Sequence, residues 1–155
     1  MRKAVVISST KSDDYLFYLP IVVWCWNKFG WHVYCSLPEN YTNNIPYLNK
    51  YELIVKNCGE QFSGFIYFEE PEIRTVTIAQ CIRLYAADNI VYDRLIDSKS
   101  VEYLYDFLMI SDIDMIPLSD YWQPKENEIT AYGRDLSDKH YPMCYVAANL
   151  NNWRE

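Results

Sequence analysis

The chain is 155 residues long, half of them hydrophobic and 17% aromatic (15 Tyr, 6 Phe, 5 Trp), with 14 Lys plus Arg against 21 Asp plus Glu for a formal net charge of −7. That length suits one domain with a sizeable core, and the composition, with only four Gly and seven Pro, excludes a disordered, low-complexity or collagen-like chain. No Lys/Arg-rich run exists, which argues against a nucleic-acid partner held by phosphate neutralisation, although a pocket can still be locally basic.

Met1-Arg2-Lys3 precedes Ala4-Val5-Val6-Ile7, an apolar stretch too short for a signal peptide. The next candidate, Ile21 to Trp26, is far below the roughly 18 residues that span a bilayer, so no transmembrane segment is expected. Cys25, Cys35, Cys58, Cys81 and Cys144 are odd in number and form no CxxC pair, which argues for buried reduced thiols over a disulfide framework or thiolate zinc site. With only His32 and His140 available, a His/Cys metal centre is also disfavoured. A soluble, reducing, cytoplasmic setting is the expectation.

Ala4 to Ile7 reads as a buried strand breaking into the polar loop Ser8-Ser9-Thr10-Lys11-Ser12-Asp13-Asp14. Tyr15 to Phe29 carries Leu16, Leu19, Val23 and Trp26 at helical spacing and is stopped by Gly30, with Pro20 marking a later start. His32 to Leu37 and Gly64 to Phe68 read as strands, separated by an Asn-rich segment, Pro38 to Phe62, read as irregular or helical in short pieces. Glu72 to Asp88 reads as a helix with Ile78, Ile82 and Tyr85 on one face. Phe107 to Ile110, Ile129 to Tyr132 and Met143 to Ala148 complete the strands. This order predicts a three-layer α/β domain with a mostly parallel central sheet.

The chain has no G-x-G-x-x-G, no G-x-x-x-x-G-K-[ST] and no G-x-S-x-G, and neither histidine sits beside a nucleophile. A nicotinamide dehydrogenase, a P-loop NTPase and a triad hydrolase are therefore disfavoured. What stands out is Ser111-Asp112-Ile113-Asp114-Met115-Ile116-Pro117, straight after the apolar Leu108-Met109-Ile110. If the strand continues, Asp112 and Asp114 point to one side at its carboxyl end, where open α/β sheets bind ligands. Two adjacent carboxylates repel unless a cation lies between them, and oxygen donors of this kind suit Mg²⁺ or Mn²⁺. The competing reading is an exposed acidic turn capping Pro117 to Trp122.

Gln80 and Arg83 lie three apart on the Glu72–Asp88 helix and share a face, near Ala79, Ala86 and Ala87. An arginine there can hold a diphosphate or a carboxylate bidentately, or it can be a surface residue paired with Glu72 or Asp88.

VVISST, TIAQCIRLYAA and DFLMISDIDMIPLSDYW, in that order, resemble the donor-binding half of a GT-A-fold glycosyltransferase. The wording is most similar to the small enzymes of that fold in large algal viruses and some bacteria. The resemblance implies a nucleoside-diphosphate-sugar donor (UDP- or GDP-linked), a glycan or other hydroxyl acceptor, and Mn²⁺ or Mg²⁺ held by Asp-x-Asp. By position it implies Asp114 as the direct metal ligand and Asp112 on the ribose or sharing the metal. It also implies Ser8, Ser9 and Thr10 against the nucleoside and Arg83 near the diphosphate or donor sugar. ITAYGRD followed by MCYVAANL resembles the strands of the sugar and acceptor side. Asp135, in Gly133-Arg134-Asp135, is a candidate acceptor base, with a solvated loop carboxylate as its alternative, and Tyr132 and Trp122 are candidate sugar platforms or packing residues. Members of that superfamily generally continue into an acceptor-binding region, often with a further His or Asp metal ligand. The chain stops at Glu155, so one donor-binding domain over 1–155 is expected, as a compact version, a fragment or a module without full activity. Two other readings are weighed beside glycosyl transfer: a nucleotidyltransferase making a sugar nucleotide, disfavoured because SSTKSDD has no Gly, and a truncated nucleotide-binding or interaction domain without turnover.

Overall fold

A strand that is apolar on both sides has to be covered on both faces, and Ala4-Val5-Val6-Ile7 meets that condition: every residue of Lys3–Ser8 is buried. The computed structural model describes residues 1–10, 13–38, 49, 53, 56, 62–68, 73–85, 105–120, 128–132 and 145–154. Their elements are β1 (Lys3–Ser8), α1 (Asp13–Leu16), α2 (Leu19–Lys28), β2 (Trp31–Pro38), β3 (Phe62–Phe68), α3 (Thr75–Cys81), a 3₁₀ turn over Ile82–Tyr85, β4 (Phe107–Asp112), β5 (Thr130–Ala131), β6 (Tyr145–Asn149) and α4 (Leu150–Arg154).

β1 lies between two parallel neighbours, with Val5 opposite Val33 of β2 and Met109 of β4. β3 continues the parallel set beyond β2. On the other side β6 runs antiparallel to β4, and β5 antiparallel to β6, giving the order β3-β2-β1-β4-β6-β5. The mostly parallel sheet expected from the sequence is present, with β6 the reversed strand among the described residues.

Alternation along β1 and β4 divides the core in two. Val5, Ile7, Val33, Cys35, Leu37, Met109 and Ala147 pack with Leu19, Val22, Val23 and Trp26 of α2. Ala4, Val6, Tyr105 and Leu108 pack on the other face with Leu150 of α4, and Trp153 lies against them. Helices thus cover both faces of the sheet in three layers.

Local sequence accounts for the helix ends. The Tyr15–Phe29 stretch divides into α1 and α2, and α2 starts beside Pro20 as expected, because Pro20 has no N–H to donate to Leu16 and fits only the first turn of a new helix. At the other end the N–H of Gly30 donates to the Asn27 carbonyl (2.9 Å) and Gly30 adopts φ +76°, a left-handed conformation that favours glycine. Lys3 Nζ donates to the Phe29 carbonyl (3.1 Å), placing a cation at the negative end of α2. Burial pulls the Lys3 ammonium below its ordinary pKa, and Asp120 opposes that shift. α4 is capped by Asn149, whose Oδ1 accepts from the Asn152 N–H (2.8 Å), and is tied to β4 by Trp153 Nε1 donating to the Leu108 carbonyl (3.0 Å).

Two expected boundaries move. The Glu72–Asp88 helix is α3 followed by the 3₁₀ turn, which tightens the chain before Arg83; residues 86–88 lie outside the described set. The Phe107–Ile110 strand runs on to Asp112, held by pairing with β1 through Ser8↔Asp112. The Asn-rich segment between β2 and β3 lies almost wholly outside the described residues, as do Met143 and Cys144. Cys25 and Cys35 are buried free thiols, as expected, with the Cys35 pKa pushed up by burial, whereas Cys81 is exposed.

Candidate functional site

The order of strands reverses at β1: the chain steps outward from β1 to β2 and β3, then returns to add β4 on the opposite side. The crossovers on either side of such a point diverge and leave a crevice at the carboxyl ends of the two strands. Here those ends are Ser8 and Asp112, which are register partners.

A cleft of about 300 Å³ opens at that point, lined by Ser8, Ser9 and Thr10 after β1, by Tyr15 of α1, by Val76, Ala79 and Gln80 of α3, and by Asp112, Ile113 and Asp114 after β4. The sequence brings them together simply. Each apolar strand ends where its polar residues begin, so the first hydroxyls after β1 and the first carboxylates after β4 surface on the same edge. The ladder between β1 and β2 continues one step past the strand, with the Ser9 N–H donating to the Ser36 carbonyl (3.1 Å), and the Ser9 hydroxyl donates to the Thr10 carbonyl (2.7 Å). Ser8 and Ser9 are buried, and Thr10 is half-buried.

The two carboxylates reach the cleft by a different route from the strand alternation expected. β4 ends at Asp112, and the Met115 N–H donates to the Asp112 carbonyl (3.2 Å), closing a turn. Ile113 is driven into the core beside Met109, and Asp114 comes back to the cleft, exposed, on the far side of that turn. The acidic-turn reading is therefore right about the local backbone, while both carboxylates line one cavity.

Glu72 and Asp88, the surface partners considered for Arg83, lie outside the described residues. Arg83 is buried, at 3% exposure, and its Nη1 donates to Oδ1 of Asp112, whose side chain is 40% exposed. The Arg83 Nε is buried without a hydrogen-bond partner among the described residues. Gln80, one helical step away, is exposed and lines the cleft, so the two residues expected to share a face meet the site from outside and from beneath.

Five of the expected site residues thus line one cavity, and Arg83 touches it through Asp112. Asp135 lies outside the described residues, as does Trp122. Tyr132 is packed against the core cluster, in keeping with the packing alternative. Sequence reasoning missed Tyr15, whose ring is half-exposed in the cleft, and the apolar wall of Val76 and Ile113, while Ala79 was noted only as a neighbour of Gln80 and Arg83. The signal for Tyr15 was its place as the first aromatic after a polar loop that must return to the edge it left.

Asp112 and Asp114 are hard oxygen donors on one cavity, and among the described residues no group of three or more His, Cys, Asp or Glu is placed to hold a metal ion. A site of two carboxylates fits Mg²⁺ or Mn²⁺ that takes its other ligands from phosphate oxygens and water, and does not fit a stand-alone protein cage. No helix among the described residues is long and apolar enough to cross a membrane.

No protein-family model matches the chain, and no curated protein matches it significantly. Among solved structures, the glycosyltransferase GlyE of Streptococcus pneumoniae TIGR4 aligns in its apo form over 99% of this chain and 35% of its own, at 12% identity and TM-score 0.54. A second GlyE structure aligns over 99% of this chain and 36% of its own, at 13% identity and the same TM-score of 0.54. A galactosyltransferase LgtC structure in complex with donor and acceptor sugar analogs aligns over 97% of this chain and 59% of its own, at 15% identity and TM-score 0.49. The chain spans about a third of the length of GlyE and shares the GT-A-like α/β fold over that span.

Proposed function

We propose that this chain binds the donor of a glycosyl transfer, a nucleoside-diphosphate sugar, in the cleft at the ends of β1 and β4, with a divalent cation on Asp112 and Asp114. The observation that supports this best is the convergence of the Ser8-Ser9-Thr10 hydroxyls and both carboxylates on one cavity at the topological switch point. The shared fold with GlyE adds to it.

Each wall has a task in this reading. The half-exposed Tyr15 ring offers a face on which a nucleobase can stack, and Val76 and Ala79 leave room for it. Ser8 and Thr10 offer short hydroxyls to the ribose. Asp112 and Asp114 would hold Mn²⁺ or Mg²⁺, which when bound supplies Lewis acidity to the leaving diphosphate. The buried Arg83 fixes the Asp112 carboxylate, so the group is oriented before a ligand arrives. Gln80, exposed in the cleft lining, would offer its amide to the sugar.

Release of UDP or GDP from a panel of UDP- and GDP-hexoses tests the proposal. Release in Mn²⁺, abolished by EDTA and reduced at least a hundredfold by Asp114→Asn, is the expected result. Nucleotide binding with no release from any donor would favour a binding module over an enzyme.

A further inference from the structure

Arg83 stays charged when buried, because a guanidinium is not deprotonated in proteins, and so it needs a counter-charge close by. Among the described residues that counter-charge is Asp112, and the Arg83 Nε is left without a partner. The Asp112 carboxylate therefore meets a permanent cation from beneath while it lines the cleft above. Asp114 lines the same cleft from the turn. Two carboxylates and one guanidinium sum to a single negative charge, half of what the carboxylates alone would present to a dication. Diphosphate oxygens bring back the negative charge that Arg83 cancels.

We propose that Arg83 is a positioning residue that occupies Asp112 as an internal cation, so that a divalent ion binds weakly to the empty cleft and tightly only together with a diphosphate. This rests on the reading of the cleft as a nucleoside-diphosphate site. The guanidinium takes one lone pair of Oδ1 and weakens the field of the carboxylate pair. Mg²⁺ gives up water reluctantly and is normally held by one or two carboxylates plus phosphate oxygens, and Mn²⁺ takes the same oxygen donors, so a carboxylate already engaged is a poor lone ligand for either. The chain thereby selects the metal–nucleotide complex over free metal.

The test follows free Mn²⁺ by its electron paramagnetic resonance signal in titrations of wild type, Arg83→Met and Arg83→Lys, alone and with UDP or GDP, after subtracting Mn²⁺ bound by nucleotide in buffer. Methionine keeps the buried volume without the charge, and lysine keeps the charge without the fork. Wild type is expected to bind Mn²⁺ at least tenfold more tightly with nucleotide than without. Arg83→Met is expected to bind Mn²⁺ alone at least tenfold more tightly than wild type, and Arg83→Lys to stay near wild type. Wild type that binds Mn²⁺ equally well with and without nucleotide overturns the proposal without recourse to any variant. So does an Arg83→Met protein no tighter for Mn²⁺ alone than wild type; in that case the cleft remains a nucleotide site. Failure of wild type to bind Mn²⁺ and nucleotide together removes the nucleotide reading, and this proposal with it.

Discussion

Asp112 answers to Arg83 beneath it and to the cleft above it, whereas Asp114 has no ion-pair partner among the described residues. The two aspartates should therefore respond differently to replacement. Asp112→Ala leaves a buried guanidinium uncompensated and is expected to lower stability by about 1–3 kcal/mol, the range for a buried polar group that loses its partner. Asp114→Ala, exposed on a turn, should change it by no more than about 0.5 kcal/mol. Urea unfolding of the two variants checks this, and equal losses would count against the ion pair as a structural element. His32 gives a second residue-level expectation. It is half-buried with its ring 5.3 Å from that of Tyr105, and burial lowers its pKa below the ordinary 6.5. The unfolded chain then holds more protons than the folded one between the lowered value and 6.5, so stability rises with pH through that window and falls as pH drops below 6.5. Unfolding at pH 7.5 and pH 5.5 should show the loss in wild type and a smaller one in His32→Gln.

The helix α2 shows what an element gains from one large side chain. Trp26 is fully buried and meets Trp31 edge-on at 5.5 Å and Tyr145 at 6.4 Å, joining α2 to β2 and β6. Its indole Nε1 is buried without a partner among the described residues. Trp26→Ala is expected to cost about 3–5 kcal/mol through the cavity it leaves. Trp26→Phe removes the unpaired N–H and keeps most of the packing, so it should lose less than half as much in the same denaturation experiment. The strands were the legible elements: β1 and β4 are continuous apolar runs, and a strand buried on both faces can hardly be written otherwise. The helix bearing Arg83 was less so. Side-chain periodicity extends across both α and 3₁₀ turns, so a pattern over Glu72–Asp88 does not reveal where α3 ends and the turn tightens.

In the whole molecule, the position of the cleft follows from topology, and the sequence allowed that much to be read: polar residues directly after two buried strands end on one edge whenever the strands are parallel neighbours. Asp112 and Asp114 were found from the end of their strand, whereas Ser8, Ser9 and Thr10 came from the resemblance alone. The Arg83–Asp112 pair was not found, because its partners are 29 residues apart and nearer carboxylates competed for the arginine on paper. Nor was the route of Asp114, since alternation assumes a strand where the chain had already turned at Ile113. Both misses arise from tertiary placement, which spacing along the chain does not encode.

Calorimetric titration of UDP and GDP, with and without Mn²⁺, into wild type and Asp114→Asn tests the donor cleft most directly. Binding of one nucleotide that requires Mn²⁺ and is lost in Asp114→Asn is the predicted result. Absence of binding of either nucleotide under every metal condition, or metal-dependent binding that Asp114→Asn leaves intact, would contradict it.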